Sequence, residues 1–197
     1  MKLLYTKHSP YARVIRIQLL ESGLADTVEQ VATVTRVEGA AIYEHNPTGK
    51  VPALVLDDGT VLTESRMIAT YLDSLHDGSP FVMPPSAEHF AFDGFATGFM
   101  DGVAVAVRER RRPEEDQSAD ILAQESRRVV SCVDYLDTRV ATLPDQLHFG
   151  TTLIAVGLLS AERTFPELDL LKSHPRLERW HERLIQQPAF SATAPTD

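Results

Sequence analysis

Three places in the chain carry side chains whose type and spacing could do chemistry. The first is Ser9-Pro10, directly after the β-like run Lys2 to Thr6. Serine at an N-cap and proline at the first helical position start a helix. A helix start gathers unpaired N–H groups and the positive end of the backbone dipole, so it holds an anion. A serine hydroxyl at that point can donate to the same anion, and a thiolate would be stabilised there; read alone, Ser-Pro is also a plain cap. The second place is Gly49-Lys50-Val51-Pro52-Ala53. A cis proline ahead of a strand turns the Val51 carbonyl and N–H outward to pair with an extended peptide, whereas a trans proline would only open an edge strand. The third is Glu64-Ser65, which joins a carboxylate able to hold an amine to a helix start able to hold a carboxylate. Together these fit an α-amino acid head group; alone, Ser65 is a cap.

The surrounding pattern supplies the elements that must position these groups. Lys2 to Thr6 reads as a strand, Pro10 to Ser22 as a helix closed by Gly23, and Val28 to Val34 as a second strand. An irregular segment follows through Asn46-Pro47-Thr48-Gly49. Pro52 to Leu56 and Thr60 to Leu62 then flank Asp57-Asp58-Gly59, an antiparallel hairpin signal. Ile68, Tyr71, Leu72 and Leu75 recur at helical spacing after Ser65. The order β-α-β-β-β-α is that of a thioredoxin-like α/β domain, expected over residues 1–76. Residues 77–86, with Asp77-Gly78-Ser79-Pro80 and Pro84-Pro85-Ser86, form a linker. Residues 87–197 read as an all-α domain, with helices near Ser86 to Arg111, Gln117 to Ala141, Thr152 to Glu162 and Pro175 to Gln186, and a loose tail after Phe190.

Composition narrows the function classes. The 197 residues carry 19 Lys plus Arg against 28 Asp plus Glu, a formal charge of −9, which opposes general attraction to nucleic acid or an anionic membrane surface. Cys132 is the only cysteine, so internal disulfides and cysteine zinc clusters are excluded. Seven histidines lack ligand spacing, so no metal is expected. The start meets charge too early for a signal peptide and no long uncharged apolar run stands out, so a cytoplasmic protein is expected. Arg108 to Arg112 is interrupted by Glu109 and followed by Glu114-Glu115-Asp116; it reads as a solvated helix end. Cys132, among Val129, Val130, Val133 and Leu136, reads as a buried inert thiol.

The chain resembles the cytosolic glutathione transferase family, in its bacterial-type branch with serine or cysteine at the thiol-contacting position. The resemblance rests on Ser9-Pro10-Tyr11-Ala12-Arg13, on Asn46 to Leu54, and on Leu62-Thr63-Glu64-Ser65-Arg66-Met67-Ile68-Ala69-Thr70-Tyr71-Leu72. It implies a two-domain fold, glutathione as co-substrate, a small hydrophobic electrophile as second substrate, a homodimer and a role in detoxification. By position, Ser9 would contact the glutathione sulfur, Val51 would pair with the cysteinyl unit before a cis Pro52, and Glu64 with Ser65 would hold the γ-glutamyl head. Lys50 and Arg36 are looser candidates for the glycyl carboxylate. Tyr5 is the runner-up to Ser9, because other branches activate the thiol with a tyrosine near that position. Phe95, Phe99, Val103 and Val107 divide between core and electrophile pocket, and Asp101 would reach the glutathione amine from a partner subunit. Related folds also act as isomerases, dehalogenases, peroxidases or non-catalytic interaction modules. One departure stands out: Thr151-Thr152-Leu153-Ile154-Ala155 lacks the Asp that closes the usual reciprocal cap of that helix.

Overall fold

The computed structural model describes residues 1–195. The chain divides into two compact units, Met1–Pro84 together with the segment from Pro188, and Pro85–Gln187.

Unit 1 is built on a four-stranded sheet. Its elements are β1 (Lys2–Tyr5), α1 (Pro10–Glu21), β2 (Glu29–Ala32), α2 (Ile42–His45), β3 (Ala53–Val55), β4 (Val61–Thr63) and α3 (Ser65–Asp73). The strand order is β2-β1-β3-β4. β1 runs parallel to β2 and antiparallel to β3, which pairs antiparallel with β4. The hairpin turn forms as its residues dictate: Gly59 sits at φ +87 and the Thr60 N–H donates to Asp58 Oδ1 at 2.8 Å. α1 buries Val14, Ile15, Ile17 and Leu19, and α3 buries Ile68, Ala69 and Leu72, so both apolar stripes face inward with Leu3 and Leu54 of the sheet in the same core. Gln18 fastens the two helices through Nε2, which donates to Ala69 O and Asp73 Oδ1, each at 2.9 Å. Asp73 also accepts from the Val82 N–H at 2.6 Å, anchoring the strap that leaves the sheet. The short helix α2 lies where the sequence suggested only irregular chain; four residues are too few to show a helical period. Residues 191–195 of the tail expected to be loose are held in place, and the last two residues of that tail lie outside the described residues. Pro188–Ala192 forms α8, which packs on α1 and buries Ala189 and Phe190.

Unit 2 consists of α4 (Ala87–Arg110), α5 (Ala119–Arg139), α6 (Phe149–Thr164) and α7 (Pro175–Ile185), with short 3-10 turns between them. α4 packs on both α5 and α6. Phe99 and Val103 of the apolar stripe are core, while Phe95 and Val107 are half-buried. By length and composition α4 could cross a membrane, but Asp93 and Asp101 interrupt it and its packing makes it a core helix of this unit. α6 begins three residues before the expected Thr152. Its missing Asp is replaced by Thr151, whose Oγ1 accepts from the His148 N–H at 3.0 Å and donates to Gln146 O at 2.8 Å. The basic run ends α4: Arg110 stands 3.5 Å from Glu167, and Arg112 stands 3.5 Å from Glu109, which also accepts the Ser118 N–H at 2.6 Å. Cys132 is half-buried rather than buried, and its partial burial raises the thiol pKa.

Candidate functional site

The register of unit 1 gathers the sequence-selected residues at one end of its sheet. Leu4 pairs with Ala53, and Ala53 pairs with Thr63. The end of β1, the start of β3 and the end of β4 therefore lie side by side. Ser9 follows the first, Val51-Pro52 precedes the second, and Glu64-Ser65 follows the third. β2 ends at the same place, with Tyr5 opposite Ala32, so the loop holding Arg36 leaves from this end too.

Ser9 is the N-cap of α1, with its Oγ accepting the Ala12 N–H at 3.2 Å and its N–H donating to Thr6 O at 3.1 Å. The two readings of this serine are compatible, because capping uses an oxygen lone pair and leaves the hydroxyl proton to donate elsewhere. Pro10 offers no N–H and the Ala12 N–H is occupied, which removes two rival donors from the first turn. Tyr5 is engaged differently. The Arg16 guanidinium lies 4.5 Å from the centre of its ring, and Arg16 Nε donates to Gln30 Oε1 at 2.8 Å.

The Val51–Pro52 bond is cis. The loop before it is shaped by Asn46, whose Nδ2 donates to Lys50 O at 2.9 Å while its Oδ1 accepts from the Thr48 N–H at 3.1 Å. Gly49 sits at φ +64, which favours glycine, and a Cβ there would stand 2.5 Å from the exposed Tyr43 ring, which would have to turn aside.

Glu64 occupies the N-cap position of α3 but makes no capping bond with its side chain; Ser65 is the first helical residue and buried rather than the cap expected. Glu64 stands at φ 63, ψ 122, a region that L-residues rarely adopt. The turn aims its carboxylate outward, 4.0 Å from Lys50 Nζ, with both side chains largely exposed. The structure thus brings Lys50 and Glu64 together. Arg36 is exposed and also has a positive φ, 61. Asp101 lies on α4 in unit 2 and is exposed.

Arg13 was read only as part of a motif, yet it is a buried cation one turn into α1. A basic residue flanked by Ala12, Val14 and Ile15 was the available signal. Among the described residues no group of three or more His, Cys, Asp or Glu could hold a metal ion.

Comparison with known proteins bears on the family and the fold. The family model for the glutathione S-transferase N-terminal domain matches residues 8–75. The chain is 31% identical over 204 residues to the uncharacterised GST-like protein YibF of Escherichia coli K12, covering 99% of this chain and 98% of that protein. A crystal structure of a glutathione transferase family member from Pseudomonas fluorescens Pf-5 with bound glutathione superposes with a TM-score of 0.89, at 28% identity, covering 100% of this chain and 99% of that one. A glutathione S-transferase from Methylobacillus flagellatus KT with glutathione bound gives a TM-score of 0.86 at 28% identity, covering 99% of each chain. With a thioredoxin-like sheet, a helical second unit and this near full-length kinship, the chain belongs to the glutathione transferase family.

Proposed function

We propose that the protein is an enzyme that binds glutathione along the sheet end of unit 1 and reacts its thiolate with small hydrophobic electrophiles. The observation that carries this reading is that the strand register sets Ser9, Val51 before cis Pro52, and Glu64-Ser65 at one end of the sheet. In this assignment the Val51 N–H and carbonyl pair with the cysteinyl unit. Glu64 takes the γ-glutamyl amine, and the α3 start with Ser65 takes its carboxylate. Lys50 and Arg36 supply cations for the glycyl carboxylate. Lys50 would leave Glu64 to do so, at a cost of no more than about 1 kcal/mol for an exposed pair.

The chemistry is nucleophilic. The glutathione S–H loses its proton to solvent, and the thiolate forms a carbon–sulfur bond as the electrophile's leaving group departs with its electron pair. A free thiol has a pKa of about 8.5, and lowering it by roughly two units needs about 2.7 kcal/mol of anion stabilisation. One hydrogen bond to a charged acceptor supplies about 1.5–3 kcal/mol, so the Ser9 hydroxyl and the α1 terminus together are adequate. A cytoplasmic homodimer engaged in detoxification completes the proposal. Exposed Met67 on α3 and exposed Phe90 on α4 are apolar surface that a second copy could cover.

Calorimetric titration with glutathione, followed by turnover assays on a panel of electrophiles and hydroperoxides, tests the reading. Saturable glutathione binding with conjugate formation supports it. Binding without turnover on any of the panel would reassign the protein to the non-catalytic members of the fold. Ser9→Ala should retain glutathione but lose rate near neutral pH and recover it at alkaline pH, whereas Tyr5→Phe should follow the wild type.

A further inference from the structure

Arg13 is 8% exposed, buried among the apolar residues of α1. A guanidinium buried in such surroundings is costly unless its N–H groups are paired. An aliphatic side chain would fill the same space without that cost, so the arginine is held for what it donates to. Its Nη2 donates to Phe190 O at 2.8 Å, its Nε donates to Thr193 Oγ1 at 3.4 Å, and its guanidinium lies 5.7 Å from the centre of the Phe190 ring. The Thr193 hydroxyl passes the chain of bonds on by donating to Ala189 O at 2.7 Å. Phe190 and Thr193 are each 2% exposed, so this is a buried clamp between α1 and the segment from Pro188.

The other end of the same residue reaches Ser9. The Arg13 N–H donates to Ser9 O at 3.0 Å, closing the turn in which Ser9 Oγ accepts the Ala12 N–H. Arg13 therefore ties the residue that starts α1 to a segment that lies 177–180 positions beyond Arg13 itself. We infer that Arg13 is a positioning residue: by clamping α1 to the C-terminal segment it fixes where the Ser9 hydroxyl and the α1 terminus meet the glutathione sulfur. The inference rests on the thiolate reading above. It adds that α8 and Thr193 are a working part of thiol activation.

The test compares wild type, Ser9→Ala, Arg13→Met, Arg13→Lys, Thr193→Val and Arg16→Met. The readouts are the ultraviolet absorbance of glutathione thiolate bound to each protein and kcat and KM from pH 5.5 to 9.5. Arg13→Met should raise the bound-thiol midpoint, giving about a five- to tenfold lower kcat near pH 6.5 with recovery at alkaline pH and a glutathione KM within about twofold of wild type. Thr193→Val and Arg13→Lys should shift the midpoint in the same direction by less, and they serve as the test if Arg13→Met does not fold. Arg16→Met, on the same helix but bonded to β2, should overlay the wild type. Arg13 and Thr193 variants that fold and overlay the wild-type profile, while Ser9→Ala shifts it, would overturn this inference alone. A wild type that binds glutathione without forming thiolate would overturn both readings.

Discussion

The two units place their polar groups differently. Unit 1 sets Ser9, Lys50, Glu64 and Arg36 at one end of its sheet, exposed or half-buried, and two of these, Arg36 and Glu64, stand at positive φ. Away from that sheet end both units bury polar groups, Gln18, Arg13 and Thr193 in unit 1 and His148, Thr151, Thr152 and His181 in unit 2, the last four all under 7% exposed. Strain held at the surface positions groups for a ligand, whereas the buried Thr151 and His181, bonded to Gln146 O and Ala155 O, specify packing. Substitutions in unit 2 should accordingly be felt as stability, and those at the sheet end of unit 1 chiefly as binding.

The largest expected effect is in unit 2. Trp180 is 1% exposed and its Nε1 donates to Pro144 O at 3.0 Å. Trp180→Ala should cost about 3–5 kcal/mol in urea unfolding, from lost burial and an orphaned carbonyl. Next comes acid. Burial lowers the His181 pKa to about 4, against the opposing hydrogen bond from its Nε2 to Ala155 O; burial, then the nearby charge of His89, lowers His148 to about 4 as well. Both folded values lie below the unfolded value of about 6.5, so the unfolded chain takes up protons first. Their contribution is complete above pH 6.5 and is lost as pH falls through 4, by on the order of 2–3 kcal/mol for each histidine. His174 runs the other way. Burial depresses it, but bonds to Leu170 O and Asp134 raise it overall, so its small contribution is present at low pH and fades as pH rises through its folded value. Melting temperatures from pH 7.5 to 4 should fall, and His181→Gln should flatten that slope.

Gly49→Ala tests the unit 1 side. Strain at φ +64 and displacement of the Tyr43 ring should cost about 1–2 kcal/mol, and Tyr43→Ala added to it should restore only the steric part. The smallest stability change, and the sharpest contrast, is Glu64→Gly. Relieving φ 63 should leave the fold equally stable or about 1 kcal/mol more so, while glutathione affinity by calorimetry falls about tenfold. A loss of stability without loss of affinity would erase the distinction between the units.

Local signals made much of this legible in the sequence. Ser9-Pro10, Asp58-Gly59 and the helical stripe after Ser65 act over a few residues, and the structure has a helix, a hairpin turn and a helix at those places; at Pro52 the residues left cis and trans open, the resemblance implied cis, and the bond is cis. What escaped was non-local or too short. α2 has no period to detect, and the cap of α6 uses a Thr151 hydroxyl where an Asp was sought. The tail looked loose because Phe190 and Thr193 are anchored by Arg13, a partner far away along the chain. In the site, each residue type was readable, but the 4.0 Å approach of Lys50 to Glu64 depends on the pairing of β3 with β4.

The return of the chain to unit 1 at Pro188 also matters for synthesis on the ribosome. The sheet and α1 emerge first, but the residues that clamp α1 are separated from them by the whole of unit 2, roughly a hundred residues. At about 5–20 residues per second, the first unit waits roughly 5–20 seconds for its last piece. During that interval the face of α1 that Phe190 covers stays bare. Unit 1 is thus completed only after the whole of unit 2 has been synthesised.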